Sequence, residues 1–344
     1  MISNEQILEF RKLLESSERP LFFFDDDPDG LCSYLLLKRF AGKGRGVVVK
    51  STPVLGTQYL RKVHEIRPDR IFVLDKPGIE QDFIDEAGVQ VVWLDHHPAS
   101  KINGAHYFNP LLDGTNDNRP TSYWAYRISE GSLWMAMAGC IGDWFVPEFA
   151  ADFSKKYPDL LPRVGEPGFV LFDTGVGKLS RIISSLLKGT TTEVYQCISA
   201  LEKIREPEEI MEEKTPAGRY IMKYYRKVNK VYEKLLQKAL KEPCDGNFLV
   251  FTYPMTKISL SGELSNELLY RLPGNLIIVG RIKKDSVAFS VRSASHIIPP
   301  LLKEALEGLE GYGGGHEHAC GGSVSLRDFP DMVGRMRKLS GRKS

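Results

Sequence analysis

Three runs of consecutive apolar residues, 21–24 (LFFF), 71–74 (IFVL) and 91–94 (VVWL), each break off at an aspartate: Asp25, Asp75 and Asp95. A strand with one wet face alternates apolar and polar residues. A solid apolar run marks a strand buried on both faces, as in a parallel sheet with helices on either side. A fourth run, 47–49 (VVV), lies between the first two. Helical stretches separate the runs, at "GLCSYLLLKRFAGK", near "TQYLRKVHEI" and at "GIEQDFIDEAG". Strand alternating with helix over residues 1–150 predicts a doubly wound α/β domain. One helical stretch then runs from Thr121 to "AGCIGDW".

Residues 151–245 lack such strands and predict a helical region. It ends in a long basic connector, "AGRYIMKYYRKVNKVYEKLLQKALKEP", where Ile221, Tyr224, Tyr225, Val228, Val231, Leu235 and Ala239 keep helical spacing. Residues 246–335 predict a second, smaller α/β domain. Its strands are "NFLVFTYP", "NLIIVGRI" and "SVAFSVRS", followed by a loop "GYGGGHEHACGG" and a last strand "SVSL". The tail "RKLSGRKS" is expected to fray.

The 344 residues leave room for two domains, and 42% hydrophobic with 26% charged residues describes a soluble globular chain. No window reaches the ~18 apolar residues of a membrane span. The N-terminal residues carry acids and no apolar stretch, against a signal peptide. Five cysteines, scattered and without a C-x-x-C, argue against a disulfide framework or a zinc ribbon and for a reducing cytoplasm. The net charge of +2 neither favours nor excludes nucleic acid.

In open α/β sheets functional residues gather at the carboxyl ends of the strands. Here those ends carry Asp25, Asp27 and Asp29, then Asp75, then Asp95, His96 and His97, and Asp143 follows "AGCIG". A single aspartate after a strand commonly caps the next helix. Four segments in order delivering acids and imidazoles to one edge are another matter, because close buried carboxylates repel unless a cation lies between them. Carboxylate and imidazole without thiolate suit a hard to borderline divalent ion, Mn²⁺ or Mg²⁺. A cluster this rich can hold two ions about 3.5–4 Å apart.

The stretches "DDDPDGLCS", "VLDKPG", "LDHHP" and "GCIGDW" resemble the four motifs of the DHH phosphoesterases. "SVRS" and "GYGGGHEHACGGSV" resemble the DHHA1 domain that accompanies many of them. The resemblance covers roughly residues 20–145 and 246–330. It implies a DHH catalytic domain over 1–150, a helical region and connector over 151–245, and a DHHA1 substrate-binding domain over 246–335. The implied metal ligands are Asp27, Asp29, Asp75, His96 and Asp143, with Asp75 and Asp143 serving more than one ion. Asp25 stands where RecJ-like members place an acid and phosphatase-like members start the motif with a histidine, which tilts the reading toward the RecJ-like branch. Motif two departs from the usual Asp-x-Gly by reading Asp75-Lys76-Pro77-Gly78; Lys76 either blunts the site or touches a phosphate.

The mechanism implied is attack on phosphorus by a water that two metal ions activate, with Mn²⁺ preferred and Mg²⁺ the alternative. His97 would bond a phosphate oxygen, and Asp95 would orient a histidine. Arg292, Ser293, Gly313, Gly314, Gly315 and His316 would receive the phosphate. The leading expectation is a stand-alone RecJ-like exonuclease of the archaeal, Hef-associated kind, acting on single-stranded DNA or RNA ends. The resemblance leaves room for a homo-oligomer or for a replication or repair protein as partner, and it implies no membrane. The alternative is a phosphoesterase for nanoRNA, pAp or cyclic dinucleotides. A scaffold without activity is disfavoured because the ligand residues are all kept.

Overall fold

The computed structural model describes residues 1–50, 53–256 and 258–341. The chain forms two units, Met1–Leu187 with Thr191–Tyr224, and Lys188–Thr190 with Tyr225–Ser344.

The first unit is built on a parallel sheet of five strands, β1 (Pro20–Asp25), β2 (Arg45–Val49), β4 (Arg70–Leu74), β6 (Gln90–Leu94) and β7 (Ala105–Phe108). Two short strands, β3 (Val54–Leu55) and β5 (Gly78–Ile79), pair with each other. The sheet order is β2-β1-β4-β6-β7, and every pair is parallel. The winding reverses between β1 and β4, so the carboxyl ends of these two strands flank the switch point where doubly wound sheets bind ligands. The solid apolar runs are explained by burial on both faces. Leu21, Phe23, Ile71, Val73, Val91 and Trp93 enter one core with Leu60 and Phe83. Their neighbours alternate to the opposite face, where Phe22 stacks on Phe72 at 5.3 Å and Phe10 meets Phe72 at 5.6 Å.

The helical stretch expected after Thr121 is two helices, Thr121–Ser129 and Leu133–Gly142, because Glu130 turns the chain into the left-handed region at φ 49°. The strand β7 was not legible in "AHYF", which is short and polar at one end. Helices between residues 150 and 211 belong to the first unit, and the helix Pro216–Ala239 leads from it into the second.

The second unit holds a mixed sheet of β8 (Phe248–Pro254), β9 (Leu276–Ile282), β10 (Ser286–Arg292), β11 (Gly311–His316) and β12 (Ala319–Ser325), in the order β11-β12-β10-β9-β8. Its core includes Ile278, Val287, Phe289, Leu302, Met332 and Met336. The expected loop "GYGGGHEHACGG" is a strand, a turn and the start of another strand. Glycine is a poor strand former, but here close packing demands it. A Cβ on Gly313 would lie 2.8 Å from Leu302, one on Gly322 would lie 2.2 Å from the Tyr312 carbonyl oxygen, and Gly315 has φ +147°. The tail expected to fray is the end of helix Phe329–Ser340, with Met336 and Leu339 buried; residues 342–344 lie outside the described residues. Among the described residues no helix is long and apolar enough to cross a membrane.

Candidate metal centre

Asp25 is the last residue of β1, and Asp27 caps the helix Pro28–Ala41, its Oδ1 accepting the Gly30 N–H at 2.9 Å. Pro28 suits the first helical position, where no backbone N–H is needed. A Cβ on Gly30 would meet the Asp25 backbone N at 2.7 Å and O at 2.8 Å, so only glycine lets the helix start against the end of β1. Asp75 follows β4 in the left-handed region at φ 59°, a conformation costing roughly 1–3 kcal/mol that recurs at functional sites. Its N–H donates to the Leu94 carbonyl at 3.0 Å, which ties it to β6.

Asp143 caps the C-terminus of helix Leu133–Gly142. The small residues before it are a packing surface. A Cβ on Gly139 would lie 2.6 Å from Ser122 Oγ and 2.9 Å from Cys32 Cβ, and one on Gly142 would lie 2.7 Å from Pro28. The two glycines therefore bring Asp143 onto the start of helix Pro28–Ala41, beside Asp29.

His96 Nε2 lies 3.5 Å from both Asp75 Oδ1 and Asp143 Oδ2. Three sets of donor atoms each lie within 4.8 Å of one another: Asp25, Asp27 and Asp75; Asp75, His96 and His97; and Asp29, His96 and Asp143. Asp75 and His96 link the sets into one edge. Asp95 is fully buried and stands behind them. Its Oδ1 takes His97 Nδ1 at 2.7 Å, and its Oδ2 accepts from Tyr107 and Asn109, each at 3.2 Å.

Four residues at this edge escaped the sequence reading. The backbone N–H groups of Thr121 and Ser122, opening helix Thr121–Ser129, donate to the two Asp29 oxygens at 2.8 Å each. The Thr121 hydroxyl donates to Asp75 Oδ1 at 3.1 Å. Pro120 before a Thr-Ser pair and an apolar run is a helix-start signal that could have flagged them. Tyr107 and Asn109 hold Asp95 and left no motif. Lys76, the departure in motif two, is buried, with Nζ 2.7 Å from Asp25 Oδ1.

The electrostatics follow from crowding. Burial first, then mutual repulsion, pushes the Asp27 and Asp29 carboxyls well above their usual range. Burial likewise raises Asp143, and lifts Asp25 to about 6 against the pull of Lys76. Burial also works to raise Asp75, but the His96 hydrogen bond and the charges of His96 and His97 outweigh it and hold Asp75 low. Burial works to lower both imidazoles, yet the surrounding carboxylates win and raise them.

In the second unit, the Arg292 guanidinium donates to Asn266 Oδ1 at 2.6 Å and to the Cys320 carbonyl at 3.1 Å, and burial draws it down to about 10. Ser293 is buried; its Oγ accepts the N–H groups of Ser295 at 3.3 Å and His296 at 3.2 Å, so it closes the turn after β10. Gly313, Gly314, Gly315 and His316 are exposed on β11, at the edge of the sheet. Nothing lies within 4 Å of a Cβ placed on Gly314.

No family model and no curated protein matches the chain. Solved structures do. RecJ from Thermus thermophilus in complex with Mn²⁺ is 16% identical with a TM-score of 0.70, covering 100% of this chain and 56% of that one. An exonuclease RecJ bound to manganese is 17% identical with a TM-score of 0.65, covering 98% and 95%. The DHH domain of a member of the s1p family of ribosomal proteins is 14% identical with a TM-score of 0.67, covering 99% and 90%. The chain has the RecJ-like DHH/DHHA1 fold. It spans about half, 56%, of the T. thermophilus RecJ chain.

In the DHH unit the triplet Asp95-His96-His97 follows β6, and its members do different work: His96 lies among the carboxylates, while Asp95 grips His97. The donor set fits a divalent cation. Carboxylates with one imidazole suit a hard to borderline ion, and carboxyls driven toward the neutral form by burial and repulsion are those a cation would relieve.

Proposed function

We propose that this chain is a divalent-metal-dependent phosphodiesterase that shortens single-stranded DNA or RNA from an end. The observation that carries the reading is the acid edge itself, where Asp75 shares one donor set with Asp27 and another with His96, and His96 in turn shares one with Asp29 and Asp143. Asp27, Asp29, Asp75, His96 and Asp143 would hold two ions, Mn²⁺ or Mg²⁺. Such ions, when bound, supply positive charge that lowers the pKa of a water and steadies phosphate oxygens. The backbone N–H groups of Thr121 and Ser122 fix both Asp29 oxygens. Asp95 holds His97 by Nδ1, which makes Nε2 the nitrogen that would donate to a phosphate oxygen. Arg292, the Gly313, Gly314 and Gly315 backbone and His316 would bind a phosphate of the substrate, while Ser293 shapes the turn that sets Arg292.

A polynucleotide substrate is favoured by the helix Pro216–Ala239. Lys223, Lys227, Lys230, Lys234 and Lys238 are all exposed along it. At 3.6 residues per turn they fall within an arc of about 80°. A line of cations along ~20 Å or more suits a phosphate backbone better than a mononucleotide. Tyr224 and Tyr232 are buried and serve packing rather than base stacking, while Tyr220 is exposed.

The test is a timed digestion in Mn²⁺, and separately in Mg²⁺, of long single-stranded DNA and RNA oligonucleotides labelled at either end. A trinucleotide RNA and pAp run alongside, with Asp75→Ala/Asp143→Ala as the blank. Stepwise shortening of the long strands is expected, and the label lost first gives the polarity. Consumption of the trinucleotide or pAp alone would replace the exonuclease with a small-substrate phosphoesterase.

A further inference from the structure

The acid edge contains a fixed cation of its own. Where the resembling motif has Asp-x-Gly, this chain has Asp75-Lys76-Pro77-Gly78. The Lys76 side chain is 0% exposed, and Nζ lies 2.7 Å from Asp25 Oδ1. Local geometry explains how it gets there. Leu74 on β4 pairs in register with Phe24 on β1, so Asp25 and Asp75 begin the exits of neighbouring strands. The left-handed turn at Asp75, φ 59°, sends its carboxylate toward His96 while the next side chain runs back to the end of β1. The Trp93 indole N–H, donating to the Lys76 carbonyl at 3.0 Å, pins the backbone of that turn. Lys76 therefore reaches no substrate. A buried ammonium persists only beside an anion, and Asp25 is an anion drawn from one of the three donor sets.

We infer that Lys76 is a resident counter-charge that withdraws Asp25 from the metal ligands and makes the two cation positions unequal. The position at Asp29, Asp75, His96 and Asp143 is the strong one. The position left to Asp27 and Asp75 is the weak one, because it loses a carboxylate to the ammonium and lies near a fixed positive charge. This rests on the metal-binding reading above.

Mn²⁺ titration of the full chain, followed by the electron paramagnetic resonance of the free ion, tests it. The wild type should show two classes of site differing at least ~10-fold in affinity, a conservative figure for one nearby unit charge. Lys76→Met should tighten the weak class roughly tenfold or more and leave the tight class in place. Asp25→Asn leaves the ammonium uncompensated and should weaken the weak class about tenfold. Lys76→Met/Asp25→Asn, which removes both charges, should return it to within about threefold of the wild type because Asp25 supplies no ligand oxygen. If Lys76→Met does not fold, the double variant Lys76→Met/Asp25→Asn takes its place, and its weak class should be tighter than that of Asp25→Asn alone. A weak class unmoved by loss of Lys76, or not restored in the double variant, overturns the assignment and leaves metal binding standing. A wild type that binds no Mn²⁺ overturns both.

Discussion

Removing metal should make the stability of the first unit fall as pH rises, the reverse of what ordinary salt-bridged acids do. The Asp25 carboxyl moves from its ordinary 3.8 to about 6 on folding. At ~1.4 kcal/mol per pH unit, that difference is worth about 3 kcal/mol. The folded state then binds more protons than the unfolded one between these values, so stability declines with rising pH. Asp27, Asp29 and Asp143, also raised, add the same sign. So do His96 and His97, whose contribution is complete below the ordinary histidine value and is lost as pH rises through their raised folded values. Asp75 runs the other way: its contribution is present above the ordinary carboxyl value and is lost only at lower pH. The assay is urea unfolding between about pH 4.5 and 7.5, in EDTA and in Mn²⁺. Trp93, Trp124, Trp134 and Trp144, all in the first unit, give the signal. In EDTA a loss of about 3 kcal/mol or more is expected across that range. In Mn²⁺ the slope should vanish or invert, because the ligands bind as anions. Metal-free stability that is level or rises with pH would refute the reasoning.

Three further outcomes are expected. Gly139→Ala places a Cβ 2.6 Å from Ser122 Oγ; it should cost about 1–3 kcal/mol by overpacking and weaken Mn²⁺ binding by displacing Asp143, read by unfolding and titration together. Asp95→Asn keeps the shape but loses the charge behind His97; kcat should drop roughly 100-fold or more while Mn²⁺ affinity stays within a few-fold. Lys230→Glu/Lys234→Glu/Lys238→Glu should weaken binding of a long oligonucleotide more than that of a trinucleotide. It should also flatten the fall of log affinity with log salt, by about 0.7 for each phosphate that the helix no longer neutralises.

What the sequence made legible was what burial writes into residue type. Residues 21–24, 71–74 and 91–94 are solid apolar runs because helices cover both faces of the sheet, and the aspartates after the first two, Asp25 and Asp75, stand at the switch point. What stayed hidden depends on tertiary approach. Asp29 is held by backbone N–H groups of a helix 92 residues further on, which no side-chain pattern encodes. Lys76 leaves two roles open in the sequence, and only the left-handed turn at Asp75, which folds it inward onto Asp25, decides between them. The glycines at 313 and 315 read as a loop by propensity, and form a strand because helix Ile298–Leu306 and strand β12 approach too closely for a side chain.

The most direct measurement is an anomalous difference map at the manganese edge from crystals grown with millimolar MnCl₂. The account predicts two peaks at the carboxyl ends of β1 and β4, both touching Asp75, one shared with Asp29, His96 and Asp143 and the other with Asp27. No peak at that edge, or manganese bound only elsewhere, would contradict it.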